Sequence, residues 1–198
     1  RDFSAALFKA TRSIAPSLVR YTEATDYDRL TRRELRDLAS TLFKGDNPGK
    51  VVDDDHGGWY RQMFGPSVEA GLVEAASLAG YRNGQVYIRG SQHRPLNVEA
   101  VRDTMPVFFE LLAEETDAAV RIVLGHFIFV YIHPYMDGNG RMGRFLMNVM
   151  MAAGGYDWTV IPVEKRTDYM RALEAASVRQ DIVPFTEFLA ERIRKPIK

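Results

Sequence analysis

An apolar run that ends in a histidine, a proline and a glycine-rich turn limits the fold of this chain more than any other segment. Almost every residue from Asp117 to Tyr131 is apolar, as expected of a helix that is buried on most sides. Pro134 cannot continue that helix, and the glycines at 138 and 140 favour a tight turn. We therefore expect a central buried helix, a loop, and a second helix from Arg141 to Ala153.

Amphipathic periodicity predicts several more helices and one short strand. The further helices are predicted to begin at Thr31, Pro66, Asn97, Thr167 and Pro184. The helix from Pro66 is predicted to end at Gly80. Residues 85–89 alternate in character after the turn pair Asn83-Gly84, which is typical of a strand in a hairpin. The predicted fold class is all-α, a helical bundle around the central helix, with a small β-hairpin.

The length of 198 residues fits a single domain, since domains commonly have about 100 to 200 residues. We expect residues 1–56 to form an N-terminal helical segment packed on a core formed by residues 57–198. The sequence begins at Arg1 without an initiator methionine or a signal pattern, so we expect flanking parts of a longer protein.

Charge and composition disfavour several classes of partner. The 26 basic side chains balance 26 acidic ones, so we expect neither nucleic acid nor an anionic membrane as a partner. The longest apolar stretch, Val120 to Ile132, is too short to span a bilayer, which needs about 20 apolar residues. The sequence has no cysteine, which excludes disulfides, and the default expectation is a cytoplasmic protein.

The stretch 133–144, HPYMDGNGRMGR, carries the chemistry. Glycines at a loop that leads into a helix let successive backbone N–H groups converge on one anion, and the helix dipole favours negative charge there. Arg141, Arg144 and Asn148 follow one another at helical spacing and share a face. Arginine forks match phosphate oxygens, and Asp137 supplies the hard oxygen that Mg²⁺ prefers. This combination predicts a nucleotide polyphosphate site.

His133 is the natural general base of that site. It lies beside the phosphate loop in sequence, and an unperturbed histidine pKa of about 6.5 suits proton transfer near neutrality. No serine or cysteine nucleophile accompanies it in this stretch. We therefore expect direct attack of an incoming hydroxyl on phosphorus rather than a covalent enzyme intermediate.

The stretch resembles the signature HPFx(D/E)GNGRxxR of the Fic (filamentation induced by cAMP) family, with Tyr135 in place of phenylalanine. The likeness covers roughly residues 57 to 190. Within it, Gly80-Tyr81-Arg82 and the segment 86–90 resemble the family's approach to its target-docking flap. The resemblance implies a Fic-type helical fold and a protein adenylyltransferase that moves AMP from ATP-Mg to a Tyr, Thr or Ser hydroxyl of a protein substrate, releasing pyrophosphate.

The resemblance also implies roles for individual residues. His133 would deprotonate the target hydroxyl, and Asp137 would bind Mg²⁺. The phosphates would be held by Gly138, Asn139, Gly140, Arg141 and Arg144. The target segment would pair with the backbone of Val86, Tyr87 and Ile88, a strand-addition mode of recognition.

The nucleotide base is less well defined by the sequence. Ser177 stands where relatives often carry an asparagine that contacts the adenosine, and Asn148 and Tyr169 are weaker candidates for the base or ribose. A different donor, such as UTP, GTP or a diphosphate-linked choline, therefore stays an alternative. A nucleotide-binding interaction module with little turnover is the alternative from another class.

Two other phosphate or metal motifs and one inhibitory motif are absent. The sequence has no GxxxxGK[ST] loop, and read as a calcium loop the turn would place Arg141 and Asn148 at ligand positions. The inhibitory pattern [ST]xxxE[GN] of many relatives is absent from these 198 residues. We expect any such inhibition to come from outside this sequence or from a separate antitoxin-like partner.

Overall fold

A computed structural model describes the backbone of residues 48–193 and the side chains of residues 56–193. These residues form six α-helices and no β-strand. The helices are α1 (Pro48–Glu69), α2 (Val98–Glu114), α3 (Ala118–Ile132), α4 (Asn139–Ala153), α5 (Arg166–Arg179) and α6 (Val183–Ala190). Short 3-10 helices lie at Ala75–Leu78 and Val163–Lys165.

The apolar run forms α3, which contacts α2, α4, α5 and α6. Its N-terminus is capped by Asp117, whose Oδ1 accepts hydrogen bonds from the N–H groups of Ala119 at 2.8 Å and Val120 at 3.2 Å. Its side chains are buried from Ala119 to Ile132 with few exceptions, and the most extensive packing is against α4. Because α3 and α4 pack against each other, both ends of the loop that joins them are held in place.

The helices predicted around Asn97, Asp117, Arg141, Thr167 and Pro184 are confirmed as α2 to α6. Asn97 caps α2, where its Oδ1 accepts from the N–H of Ala100 at 2.7 Å. The helix predicted at Thr31 lies outside the described residues. The predicted boundary at 56/57 falls inside α1, and the division into an N-terminal segment and a core stays a prediction.

The prediction that Pro66 begins a helix ending at Gly80 was wrong. α1 continues past Pro66 to Glu69 and is ended by Gly71, which has φ of +68°. The N–H of Leu72 then bonds the carbonyl of Ser67 at 2.8 Å, as in a helix that closes on a left-handed glycine. Pro66 is tolerated because it lies in the last turn, where the carbonyl that loses its partner belongs to the exposed Gln62.

The predicted β-hairpin is not confirmed, because the backbone around 85–89 forms no ladder. Residues 84–96, called the flap loop below, are held instead by isolated bonds. The side chain of Gln85 donates to the carbonyl of Pro95 at 3.3 Å, and the N–H of Ser91 donates to the carbonyl of Ile88 at 3.1 Å. Tyr87 is 79% exposed. A strand requires a paired neighbour, and the described residues offer none here.

Two stacked tyrosines connect α1 to the loop after α3. The rings of Tyr60 and Tyr135 are nearly parallel, with centroids 3.6 Å apart, and both residues are 2% exposed. Tyr60 donates its hydroxyl hydrogen to the carbonyl of Asp137 at 3.0 Å. The hydroxyl of Tyr135 has no hydrogen-bond partner among the described residues. The hydroxyl group that distinguishes Tyr135 from the phenylalanine of the family signature is therefore buried without a hydrogen bond.

We expect Tyr135→Phe to raise the free energy of unfolding by about 1 kcal/mol, because an unsatisfied buried hydroxyl is removed from an otherwise unchanged ring. Tyr60→Phe is the matched control, since it removes a hydroxyl that does have a partner, and it should lower the same quantity. Urea denaturation of the three proteins measures both changes. A loss of stability in both variants would show that the Tyr135 hydroxyl is paired.

Candidate active site

A cavity of about 590 Å³ opens between the flap loop, the end of α3, the start of α4 and one face of α5. Its volume lies in the range of small-molecule sites. It is lined by the predicted residues Tyr87, Ile88, His133, Asp137, Gly138, Asn139, Gly140, Arg141, Arg144, Tyr169 and Ser177. Val86 and Asn148 are not among its lining residues. The structure thus brings nearly all of the predicted side chains to one space.

His133 ends α3 in an unusual conformation. Its φ of 58° and ψ of 60° lie in the left-handed region, which only a few per cent of non-glycine residues adopt. The helical conformation is disfavoured here because Pro134 follows. The left-handed turn still lets the N–H of His133 bond the carbonyl of Phe129 at 3.0 Å. Such strain persists only where the surroundings enforce it, and it is common at functional sites.

The contacts of His133 define its proton positions. Its Nδ1 lies 3.0 Å from the carbonyl oxygen of Val130, and since a carbonyl can only accept, Nδ1 carries the hydrogen. In the neutral ring, Nε2 then has a free lone pair. Burial lowers the pKa of His133 below its usual value, and the positive charge of Arg82 acts in the same direction. At neutral pH the ring is therefore an unprotonated base.

The turn after His133 is braced by an asparagine side chain. Asn139, 1% exposed, accepts from the N–H of Tyr135 and donates to the carbonyl of Tyr135, both at 2.8 Å. Gly138 precedes α4 with φ of +79°, a region that suits glycine. The first N–H groups of α4 have no acceptor within the helix and border the cavity at Asn139, Gly140 and Arg141. These N–H groups, called the cradle below, are placed to donate to an anion.

Both motif arginines reach the cradle. The guanidinium of Arg141 lies over the ring of Phe64 in α1, 4.4 Å from its centroid. Nη1 of Arg144 lies 3.4 Å from the point that a Cβ on Gly140 would occupy. The two cationic groups therefore border the same turn.

Arg144 is backed by a buried pair of residues. Tyr169, 3% exposed, contacts Arg144, and its hydroxyl lies 2.8 Å from Nε2 of His126. Burial raises the pKa of Tyr169 to about 12 although Arg144 opposes this shift, so the phenol stays protonated. Burial, with Arg144 nearby, lowers the pKa of His126 to about 4, so that ring is neutral. His126, packed inside α3, is therefore linked to Arg144 through Tyr169.

Asp137 fits a magnesium ion that is shared with phosphates. It is exposed and borders the cavity beside the cradle. Among the described side chains, no cluster of three or more His, Asp or Glu residues is placed to hold a metal ion. Mg²⁺ is commonly bound by one or two carboxylates together with substrate phosphates and water, so a single carboxylate suits it. A metal site formed by the protein alone would need more ligands.

The predicted base and ribose residues are placed differently from one another. Ser177 lines the cavity, and its hydroxyl donates to the carbonyl of Leu173 at 2.8 Å. Asn148 is 4% exposed and bonds the backbone of Thr159 through both its amide nitrogen and its oxygen, at 3.0 Å and 2.7 Å. Asn148 therefore anchors the segment after α4, and its side-chain groups are already used.

Two charged side chains that are not among the predicted site residues hold the flap loop and the end of α3. Glu174 of α5 accepts hydrogen bonds from the hydroxyl of Ser91 and from the N–H of Gln92 at 2.7 Å, so it fastens the flap loop to α5. Arg82 is 1% exposed and donates to the carbonyl of His133 at 2.8 Å. Glu174 lies outside any motif, and the family-like segment that contains Arg82 does not show which carbonyls its side chain meets.

The fold and the site define a helical domain in which a neutral histidine lies beside a glycine turn at the start of a helix. The chain belongs to the Fic/DOC family, whose sequence pattern matches residues 29–151. The chain is 30% identical over 170 residues to the protein adenylyltransferase fic-1 of Caenorhabditis elegans, covering 83% of this chain and 31% of that protein. It is 34% identical over 131 residues to protein adenylyltransferase Fic of Drosophila willistoni, covering 64% of this chain and 26% of that protein.

Solved structures agree with this assignment. The structure of C. elegans Fic-1 matches with a TM-score of 0.60 at 25% identity, over 91% of this chain and 53% of that one. A Fic family protein from Desulfovibrio desulfuricans matches with a TM-score of 0.57 at 22% identity, over 96% of this chain and 59% of that one, and supports the fold. The chain spans less than half the length of the curated relatives named here.

Proposed function

We propose that this chain is a protein adenylyltransferase, which moves AMP from ATP-Mg to a Tyr, Thr or Ser hydroxyl of a protein substrate. The observation that carries the proposal is the convergence of His133, the cradle at 138–140 and both motif arginines on one cavity. The relatives named protein adenylyltransferase support the same activity.

In the proposed complex, the triphosphate lies along the start of α4. The free N–H groups at Asn139 and Gly140 bind the α and β phosphates, and Arg141 and Arg144 bind the β and γ phosphates. Asp137 would hold Mg²⁺, which supplies charge neutralisation for the polyphosphate when bound. Phe64 and Tyr169 hold the two arginines in place through the contacts described above. Positioning of the phosphates is thus the main task of this part of the site.

The proposed chemistry is a single in-line displacement. Nε2 of His133 takes the proton of the target hydroxyl, and the oxygen forms a bond to the α phosphorus. The bond from that phosphorus to the bridging oxygen breaks, and pyrophosphate leaves with the electron pair. Nδ1–H stays bonded to Val130 throughout, so the ring keeps its orientation as it becomes charged.

The proposed docking site for the target is the flap loop. Residues 85–88 are neither helical nor part of a turn, and Tyr87 and Ile88 border the cavity. Pairing of a target strand with Val86, Tyr87 and Ile88 would supply the neighbour that this backbone lacks. Recognition would depend mainly on main-chain hydrogen bonds, which can align a target hydroxyl with little demand on the target sequence.

The donor base is the least determined part of the proposal. Ser177 lines the cavity, but its hydroxyl hydrogen is committed to Leu173, which leaves only an oxygen acceptor for the base or ribose. ATP is proposed on the names of the relatives. Competition of UTP, GTP or a diphosphate-linked choline with labelled ATP tests this choice. Tighter binding and faster transfer with another donor would replace ATP.

The proposal is tested by incubating the chain with labelled ATP-Mg and a cell lysate and analysing labelled proteins by mass spectrometry. An AMP adduct on a Tyr, Thr or Ser side chain is the expected result. If ATP-Mg raises the melting temperature but no protein is modified in any lysate, the chain is a nucleotide-binding module instead. Labelling that starts only after a further protein is removed would identify the separate inhibitory partner.

The location in the cell is also a proposal. Within residues 48–193, no helix has the length and apolar character needed to cross a membrane. The cytoplasmic location predicted from composition is consistent with a site for ATP. Fractionation of cells that express the protein tests it.

The acid limb of the pH–rate profile should have its midpoint below the usual histidine value of about 6.5. The reason is that burial and Arg82 lower the pKa of His133, so the unprotonated base persists to lower pH. Transfer under kcat/KM conditions should be flat near neutrality and fall as His133 becomes protonated. Rates measured from pH 4.5 to 8 check this expectation, and a midpoint above 6.5 would contradict the described environment of the ring.

A further inference from the structure

We propose that Arg82 is a positioning residue that holds the flap loop and the general base in one fixed arrangement. The inference rests on the proposed function, because it assigns His133 the role of base and the flap loop the role of docking site. It goes beyond that function by naming the residue that sets the distance between His133 and the flap loop. Arg82 itself does not line the cavity.

The guanidinium of Arg82 donates to three carbonyls from three parts of the chain. Nε bonds the carbonyl of His133 at 2.8 Å, Nη1 bonds that of Gly84 at 3.0 Å, and Nη2 bonds that of Leu96. In addition, the backbone N–H of Arg82 donates to the carbonyl of Pro134 at 2.8 Å. Gly84 and Leu96 are the two ends of the flap loop. A single planar group therefore joins both ends of the docking loop to the residue that carries the base.

The burial of this charge needs an explanation. Arg82 is 1% exposed, and no carboxylate among the described residues pairs with it. Burying an ionised side chain without a counter-ion is costly unless its donors are satisfied. A guanidinium has five N–H donors in a rigid fork, a geometry that no neutral side chain offers, and it stays protonated. The fork satisfies its buried donors by organising three carbonyls at once.

The bond to His133 also supports the left-handed conformation of that residue. With φ of 58°, the carbonyl of His133 leaves the direction of the helix and meets Arg82 Nε. Without this bond the strained turn loses one of the contacts that enforce it. Loss of Arg82 should therefore loosen the imidazole and the flap loop together, while the cradle braced by Asn139 remains.

The test compares wild type with Arg82→Lys and Arg82→Gln, using ATP-Mg as the nucleotide and lysate proteins as acceptors. Lysine keeps the charge but not the fork, and glutamine removes the charge. Both variants should transfer AMP about 10- to 100-fold more slowly, since small misplacements of reacting groups cost about this much. Calorimetric affinity for ATP-Mg should change less than about twofold, because Arg82 contacts none of the phosphate residues. Arg102→Gln, an exposed arginine on α2, is the control for charge and should match wild type.

A second readout does not require turnover. Hydrogen exchange of the flap loop should speed up in both variants and not in Arg102→Gln. The charged or titratable groups that act on His133 are Arg82, His93 and Asp137. Removing Arg82 should raise the His133 pKa seen by NMR in Arg82→Gln, whereas Arg82→Lys should leave it nearly unchanged.

The possible results separate the inference from the proposed function. Wild-type rates and wild-type flap exchange in both Arg82 variants would overturn the positioning role even though transfer itself is real. If wild type transfers no AMP, the proposed function fails, and hydrogen exchange alone decides the role of Arg82. If both variants fail to fold, NMR of the wild-type Arg82 side chain decides, since guanidinium protons that exchange as fast as those of a free arginine would contradict the three bonds.

Discussion

Replacing His133 with alanine should lower the rate of AMP transfer about 100- to 10,000-fold, the usual contribution of a general base. The site loses the acceptor proposed to take the hydroxyl proton, since Nε2 of His133 is the free nitrogen of a neutral ring. The affinity for ATP-Mg should stay nearly the same, because the cradle and the arginines are untouched. Single-turnover kinetics with labelled ATP and calorimetry measure the two quantities separately.

The backbone of His133 complicates this experiment, and glycine provides the matched control. Because φ is 58°, alanine should keep the strain of the left-handed region, whereas glycine should relieve it by about 1 kcal/mol. His133→Gly should therefore be the more stable variant and equally slow. Imidazole added to His133→Gly should restore part of the rate by occupying the vacated space. A rate close to wild type in either variant would remove His133 from the mechanism.

The second large effect is expected for Gly138→Ala. A Cβ on Gly138 would lie 2.1 Å from Cζ of Phe64, a distance that real Cβ contacts do not show. The residue would also need φ of +79°. Overpacking and the unfavourable φ together should lower the free energy of unfolding by about 2 to 4 kcal/mol. Affinity for ATP-Mg should fall as well, because the cradle must move away from α1.

Two further variants separate the causes. Gly155→Ala also requires a positive φ, +78°, but its Cβ would meet nothing within 4 Å, so it reports the backbone cost alone. Adding Phe64→Ala to Gly138→Ala should recover part of the stability, which a double-mutant cycle measures. Equal losses in Gly138→Ala and Gly155→Ala would show that Phe64 yields freely and that the packing under the cradle is loose.

The placement of the motif residues around one cavity could be predicted because these residues are adjacent in sequence. His133, Asp137, the glycine turn and both arginines occupy a single stretch, and local geometry alone brings them together. Helix positions were also predictable where a cap is specific, as at Asn97 and Asp117. These features depend on short-range rules, which a sequence shows directly.

Features that depend on distant partners could not be predicted. The carbonyls bound by Arg82 belong to residues 133, 84 and 96, and nothing in the local sequence shows that they meet. Asn148 shares a helical face with the arginines, yet it bonds Thr159 because the chain returns there. Pro66 predicts a helix start in the sequence, but α1 runs through it and ends at Gly71, whose positive φ the sequence alone does not show. The alternating pattern at 85–89 gave no information about whether a pairing strand exists.

The side chain of Asn139 closes the motif turn through two bonds to one residue, Tyr135, so the protein's own groups hold the turn. Such preorganisation means that nucleotide association requires no ordering of the turn, so its entropic cost falls mainly on the nucleotide. The leaving pyrophosphate would encounter the same rigid donors as the incoming triphosphate. We therefore expect release of pyrophosphate, and not ordering of the turn, to limit the rate of repeated turnover.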